Sequence, residues 1–112
     1  MDCSFEGIGH MRVTFPDGGC TEGKVCKLNS AGSAVDCSAG DLFCGVAEVV
    51  RGGLAGVQIH GFAVIGYSGT APTAGYVSLS ADGSGGVKTD AAGKRCLVAQ
   101  VDTAAKTVTV EL

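Results

Sequence analysis

Short apolar runs separated by glycine-rich turns constrain the fold of this sequence more than any other feature. Nineteen of its 112 residues are glycine and two are proline, and glycine at this density is typical of tight turns, bulges and close backbone approaches. No window combines apolar residues spaced three and four apart with helix-capping signals, which argues against a long helix. The pattern therefore predicts an all-β chain of short strands.

Alternation of apolar and polar residues locates these strands. The cleanest period of two lies in residues 107–112, where three apolar residues alternate with polar ones. The clearest hairpin joins Leu42–Arg51 to Leu54–Tyr67 through Gly52 and Gly53, a pair that suits the primed turns of two-residue hairpins. The other predicted strands are His10–Phe15, Gly23–Leu28, a short one around Val35, Gly75–Ser80, one near Val87, and Cys96–Val101.

A faint internal repeat relates the two halves of the sequence. A shift of 52 positions, the distance from position 23 to position 75, superimposes valines, glycines and a cysteine of the two halves. The aligned pairs are Gly23 with Gly75, Val25 with Val77, Val35 with Val87, Cys44 with Cys96, Val46 with Val98, Ala47 with Ala99 and Val49 with Val101. We expect two similar β-units wrapped around one core, and hence a small glycine-rich β-barrel or β-clip-like domain.

The length of the chain predicts a single domain. A chain of 112 residues leaves no room for a second core. We expect residues 10–112 to form one β-barrel domain, preceded by a flexible arm at residues 1–9 with two apolar anchors, Phe5 and Ile8. The arm would become ordered on binding a partner; the alternative is a frayed terminus.

The charge of the chain argues against two classes of partner. The formal net charge is −3 at pH 7 and only eight residues are Lys or Arg, so no basic field attracts phosphate groups. We therefore expect no direct binding of nucleic acid and no attachment to a membrane surface. No charged leader precedes an apolar run at the start, and the most apolar stretch, Leu54–Gly66, is too short to span a bilayer. Synthesis in the cytoplasm follows as an expectation.

The six cysteines allow two interpretations. They are Cys3, Cys20, Cys26, Cys37, Cys44 and Cys96. An even number would indicate disulfides in a secreted mini-protein. Cys44 and Cys96, however, lie within apolar runs and read as buried hydrophobic residues, which favours reduced structural thiols in a reducing site of synthesis. Disulfides remain the alternative.

No motif in the sequence points to catalysis, a metal or another cofactor. The closest cysteine spacings are wider than the two to four residues of zinc knuckles, and His10 and His60 stand alone. Neither histidine has a neighbouring nucleophile that would predict covalent catalysis. Gly93 and Lys94 are followed by Arg95 rather than by Ser or Thr, so they do not match a phosphate loop. The glycine-rich run Asp82–Gly86 lacks the order of residues in a calcium repeat and predicts a β-turn. We therefore expect a non-enzymatic protein without a cofactor.

The sequence from Val13 to the end, about nine-tenths of the chain, resembles a family of short phage and prophage proteins, the capsid cement or head-decoration proteins. The residues that carry the resemblance are Val13–Gly19, Gly23–Val25, Phe43–Ala47, Gly69–Tyr76, Asp82–Lys88 and Val108–Val110. No single piece is diagnostic. Cys20 and Cys26 depart from the family pattern, in which aliphatic residues are more usual at such places.

The resemblance implies a compact β-domain, like the decoration proteins of lambda-like phages, that reinforces the viral shell as a homotrimer bound to the major capsid protein. The location would then be the capsid surface of the virion. On this hypothesis Phe5 and Ile8 contact the capsid, whereas Tyr67, Pro72 and Tyr76, in and beside the 68–76 loop, form the contact between subunits. The alternative for that loop is an ordinary exposed connection.

Two other functions stay open. One is a head–tail connector or tail component of a phage. The other is a small β-barrel that binds a ligand such as a carbohydrate, which would need exposed aromatic residues. Two tyrosines, four phenylalanines and no tryptophan supply few of them.

Overall fold

The structure, a computed structural model, describes residues 10–112. This part of the chain consists of strands and turns without a helix. The strands are β1 (Met11–Pro16), β2 (Val25–Leu28), β3 (Ala34–Asp36), β4 (Gly45–Arg51), β5 (Leu54–His60), β6 (Phe62–Gly66), β7 (Gly75–Ala81), β8 (Val87–Thr89), β9 (Lys94–Asp102) and β10 (Thr107–Glu111). The all-β prediction is confirmed. The expected arm with Phe5 and Ile8 lies outside the described residues.

The ten strands form two antiparallel five-stranded sheets with the same strand order. The first sheet has the order β1-β5-β4-β2-β3, and the second has the order β6-β10-β9-β7-β8. The second order is the first with five added to each number. The central register repeats too, because Val46 lies opposite Gln58 in the first sheet and Val98 lies opposite Val110 in the second. The 52-residue repeat in the sequence therefore corresponds to two units with one topology.

The predicted closure into one barrel is not found within residues 10–112. Each unit pairs its five strands among themselves, so the described strands make two separate units. Within each unit an isolated parallel bridge, Asp17 with Ala34 or Tyr67 with Val87, connects the first and last strands of the order. The predicted long arm Leu54–Tyr67 is divided at Gly61, whose φ of 93° suits glycine. Its first part becomes β5 of the first sheet, and its second part becomes β6 of the second. A change of sheet at Gly61 replaces the expected bend within one barrel wall.

Equivalent turns in the two units have the same hydrogen bonds. The side-chain oxygen Oδ1 of Asn29 accepts bonds from the backbone N–H groups two and four residues later, both at 3.0 Å. Oδ1 of Asp82 accepts the corresponding bonds at 2.7 and 3.1 Å. Side chains of this kind mimic a backbone turn, which is why Asn and Asp are favoured there. Asp82–Gly86 therefore forms a tight connection between β7 and β8, closed by a backbone bond from the Asp82 N–H to the Gly86 carbonyl at 3.1 Å. The likeness of the two units extends to this connection, here at an offset of 53 positions.

One apolar core is shared by both units. The larger cluster of buried residues consists of Val25, Phe43, Val46, Ala63, Ile65, Tyr67, Leu79, Ala81, Val87, Cys96, Val98, Val108, Val110 and Leu112. Its first three members belong to the first unit and the others to the second. A smaller cluster inside the first unit consists of Cys20, Cys26, Ala34, Ala47, Ala55 and Val57. Most of these side chains are small. The two units must therefore pack closely together to exclude water from this apolar surface.

Backbone hydrogen bonds also join the units. The N–H of Gly40 donates to the carbonyl of Ala81, and the N–H of Ala81 donates to the carbonyl of Asp41, both at 2.9 Å. The N–H of Val25 donates to the carbonyl of Gly85 at 3.0 Å. Residues 37–44, which connect β3 to β4, thus lie against the end of β7. They anchor the first unit to the second.

We expect alanine at Gly45 to destabilise the fold, because an added β-carbon would overlap the backbone oxygen of Gln58 on the neighbouring strand. Overpacking of this kind should lower the free energy of unfolding by about 2–3 kcal/mol. Gly66→Ala is the matched control. Gly66 is also a strand glycine, but the nearest atom to its added β-carbon would be the Lys106 carbonyl oxygen at 3.9 Å. Urea unfolding measures both variants, and equal losses would contradict the close approach at Gly45.

Acid should destabilise the protein through its hydrogen-bonded aspartates. The backbone N–H groups of Gly19 and Ala92 hold the pKa values of Asp17 and Asp90 below their ordinary value, and the Lys27 ammonium does the same for Asp41. Because folding lowers these pKa values, their contribution is present above the unfolded pKa of about 4 and is lost as the pH falls through the folded values. The temperature at the midpoint of thermal unfolding should decrease as the pH is lowered from 5 to 2. An unchanged midpoint over that range would contradict this prediction.

Candidate functional site

The structure separates the three residues predicted for a subunit contact. The side chain of Tyr67 is buried in the larger core and Pro72 is buried as well, whereas Tyr76 is 65% exposed. The backbone N–H of Tyr67 donates to the carbonyl of Lys106 at 3.0 Å, which holds the residue at the edge of the second sheet. Tyr67 and Pro72 are therefore buried within the single chain, and the predicted contact between subunits stays a prediction. Of the three residues, Tyr76 alone has an exposed side chain that could contact another protein.

Tyr76 belongs to a row of side chains that crosses four strands of the second sheet. Tyr76 on β7 lies opposite Leu97 on β9, and Glu111 on β10 lies opposite both Leu97 and Phe62 on β6. Directly opposed residues of antiparallel strands point to the same side of a sheet. Val64 follows Phe62 by two positions, so it shares that side, and it is 65% exposed. We name this surface, with Arg95, the outer face.

An arginine contacts the aromatic residue of the outer face. The guanidinium carbon of Arg95 lies 5.4 Å from the centre of the Tyr76 ring, within range of a cation–π interaction. Both residues are exposed. Tyrosine and arginine are enriched among the residues that dominate protein–protein interfaces. A side chain that is already held in place also loses less conformational freedom when a partner binds. The arrangement suits recognition of a protein surface.

An open groove extends the outer face towards the first sheet. Its volume is about 430 Å³, and its lining includes Phe62 and Val64 of the outer face together with Val46, Glu48 and Gln58 of the first sheet. The Gln58 amide is buried and donates to the backbone carbonyl of Phe62 at 3.0 Å. The groove has a mixed polar and apolar lining, typical of the surroundings of a protein contact.

Sequence analysis missed most of the outer face. Val64, Leu97 and Phe62 lie in runs where apolar residues occupy both sides of a strand, so alternation gives no signal for the exposed side. The sequence also gives little indication that Arg95 lies near Tyr76, because the pairing of β7 with β9 is what brings the two residues together. Only the strand register reveals this cluster.

The two histidines have ordinary surroundings. Nε2 of His10 lies 3.1 Å from Oε1 of Glu48, and Nε of Arg12 lies 2.9 Å from the same oxygen, so Glu48 joins both residues. His60 ends β5 and is exposed. No nucleophile is placed beside either ring by these contacts. The expectation that the chain is not an enzyme stays a prediction.

The described residues contain no cluster of metal-binding side chains. Within residues 10–112, no group of three or more His, Cys, Asp or Glu side chains is arranged to hold a metal ion. The five cysteines in this range are free thiols. The same range contains no helix that is long and apolar enough to cross a membrane.

Comparison with known proteins adds no relative. No protein-family model matches the chain, and neither the curated proteins nor the solved structures include a significant match.

The different positions of the two tyrosines predict different costs of truncation. Tyr67→Ala removes a large side chain from the shared core, so the free energy of unfolding should fall by about 3 kcal/mol. Tyr76→Ala removes an exposed side chain and should change it by about 0.5 kcal/mol or less. Chemical denaturation of both variants measures the difference. A large loss for Tyr76→Ala would contradict its assignment to an exposed face.

Proposed function

We propose that this chain is a structural protein of a bacterial virus that decorates and stabilises the capsid, without enzymatic activity. In this proposal a homotrimer binds the major capsid protein at the surface of the virion. The proposal needs no cofactor and no direct contact with nucleic acid or membrane.

The outer face is the observation that carries this proposal. A clamp protein needs a stable surface that binds protein, and Tyr76 is presented by a strand with paired neighbours on both sides. Regular strands hold contact residues more precisely than loops. Apolar Val64 and Leu97 and the ordered Arg95 lie on the same side. These residue types suit a protein partner better than a sugar, for which the outer face offers one exposed tyrosine.

The resemblance supports the same function. The segments shared with capsid cement proteins, such as Phe43–Ala47 and Asp82–Lys88, fall on turns and strands of both units. The all-β fold agrees with the fold class that the resemblance implies. Such a protein has to persist on a particle surface, and two packed sheets with a common core meet that need.

Stabilisation of the capsid would follow from mass action. A protein that binds the assembled, expanded lattice more tightly than its free subunits shifts the equilibrium towards the lattice. A trimer on a symmetric shell binds through several equivalent contacts, so avidity adds to a modest affinity of each contact. The outer face of each subunit would supply one of these contacts.

The decisive experiment mixes the purified protein with undecorated, expanded capsids of its virus. We expect co-sedimentation and a gain in resistance of the capsids to heat. Tyr76→Ala should weaken binding about tenfold or more, since interface tyrosines commonly contribute 1.4 kcal/mol or more, about one factor of ten. Leu54→Ala is the matched control, because Leu54 is a comparably exposed residue, 53%, on the first sheet.

Failure to co-sediment, together with unchanged heat resistance, would refute the capsid function. Light scattering of the free protein should give the mass of a trimer, and a ring of six or more would favour a head–tail connector. A clear hit in a glycan screen would favour the carbohydrate-binding alternative. Equal binding by the Tyr76 and Leu54 variants would remove the outer face from the proposal.

A further inference from the structure

Two cysteines of the first unit lie side by side. The backbone N–H of Cys44 donates to the carbonyl of Cys26 at 2.8 Å. Cys26 on β2 lies opposite Gly45, which directly follows Cys44 in the sequence. A disulfide needs α-carbons about 4.4–6.8 Å apart, a spacing that residues joined by a backbone hydrogen bond between adjacent antiparallel strands can provide. The two thiols also share an S–H···S contact. A disulfide would need little backbone movement.

The two thiols differ in accessibility and acidity. Cys26 is fully buried, whereas Cys44 is partly exposed. The hydrogen bond from the Cys26 thiol lowers the pKa of Cys44, and the charge of Lys94 adds to that effect. The same hydrogen bond and burial raise the pKa of Cys26. Thiolates are the reactive form, so an oxidant from solution would meet Cys44 first and Cys26 would be the second partner.

The other described cysteines are less suited to this reaction. Burial raises the pKa of Cys37 to about 11, and burial with a contact to Asp17 raises that of Cys20. Cys96 is buried in the larger core, apart from the cluster that contains Cys26. Cys44 therefore combines exposure, acidity and a neighbouring thiol.

We propose that Cys26 and Cys44 are a redox-active pair that forms a reversible disulfide with low-molecular-weight disulfides such as oxidised glutathione. The Cys44 thiolate attacks one sulfur of the oxidant, which forms a mixed disulfide and releases one glutathione thiolate. Cys26 loses its proton to solvent and attacks the Cys44 sulfur, which forms the protein disulfide and releases the second glutathione. The protein dithiol loses two electrons and two protons, and the oxidant is reduced to two thiols.

The disulfide would fasten the segment that connects the two units. It encloses residues 27–43, in which the Gly40 N–H donates to the Ala81 carbonyl of the second unit and the Asp41 carbonyl accepts from the Ala81 N–H. A cross-link that restricts the unfolded chain in this way stabilises the folded state. We expect the midpoint of thermal unfolding to rise by about 5–10 °C on oxidation. The inference is independent of the capsid function, because it concerns the thiols of the isolated protein.

The test incubates the purified full-length protein with oxidised glutathione and then measures intact mass, disulfide-linked peptides and thermal unfolding. We expect a mass lower by two hydrogen atoms, one linked peptide pair containing Cys26 and Cys44, and reversal by dithiothreitol. Cys44→Ser should abolish the link, and its partly exposed position makes it the safer variant to fold. Cys26→Ala should instead stop at glutathione bound to Cys44. Cys96→Ala is the control and should still form the link.

Three results would overturn the proposal. One is a protein that keeps all its thiols under conditions in which glutathione reacts with a control peptide. Another is a wild-type protein that stops at a stable mixed disulfide on Cys44. The third is a link between any other pair of cysteines in the folded protein.

Discussion

The rest of the structure depends on the apolar core that the two five-stranded units build together. Val25, Phe43 and Val46 of the first unit pack into a cluster whose other members belong to the second. Large apolar side chains are scarce in this chain, so neither sheet has much apolar volume of its own to bury. Sharing the core compensates for this, and the backbone bonds between residues 40–41 and Ala81 fix the two units at that contact. The outer face lies on strands whose alternate residues, such as Ile65 and Val98, are buried in this core on the opposite side.

Local pattern was sufficient to predict the strands. The alternation in residues 107–112 became β10, and the glycine pair 52–53 became the turn between β4 and β5. The repeat of 52 positions correctly indicated two similar units. Local pattern could not predict that β5 and β6 belong to different sheets, because the choice is made by pairing partners far away in the sequence. Without knowledge of these pairing partners, the sequence led us to expect a single barrel.

The site was harder to predict than the fold. Tyr67 and Pro72 lie beside or within a loop, and loop residues are usually exposed. Both are nevertheless buried, Tyr67 as a member of the larger core. The outer face, conversely, is an arrangement across four strands, and its members are separated in the sequence by up to 49 positions, from Phe62 to Glu111. Apolar residues on both sides of these strands conceal the exposed row. Register, which only the folded sheet defines, brings Tyr76, Leu97 and Arg95 together.

The equivalent turns at Asn29 and Asp82 differ in one functional group, an amide in Asn29 and a carboxylate in Asp82. Only the carboxylate can take up a proton, so the two turns respond differently to acid. Burial opposes ionisation of Asp82, but hydrogen bonds from Ser68, Ser84 and Gly86 outweigh it and lower its pKa. The carboxylate is therefore a strong acceptor at neutral pH and a weak one once it is protonated. The Asn29 amide forms the same bonds without a charge to lose. In acid the Asn29 turn keeps its hydrogen bonds at full strength while those of the Asp82 turn weaken, so two turns of one geometry respond unequally to protons.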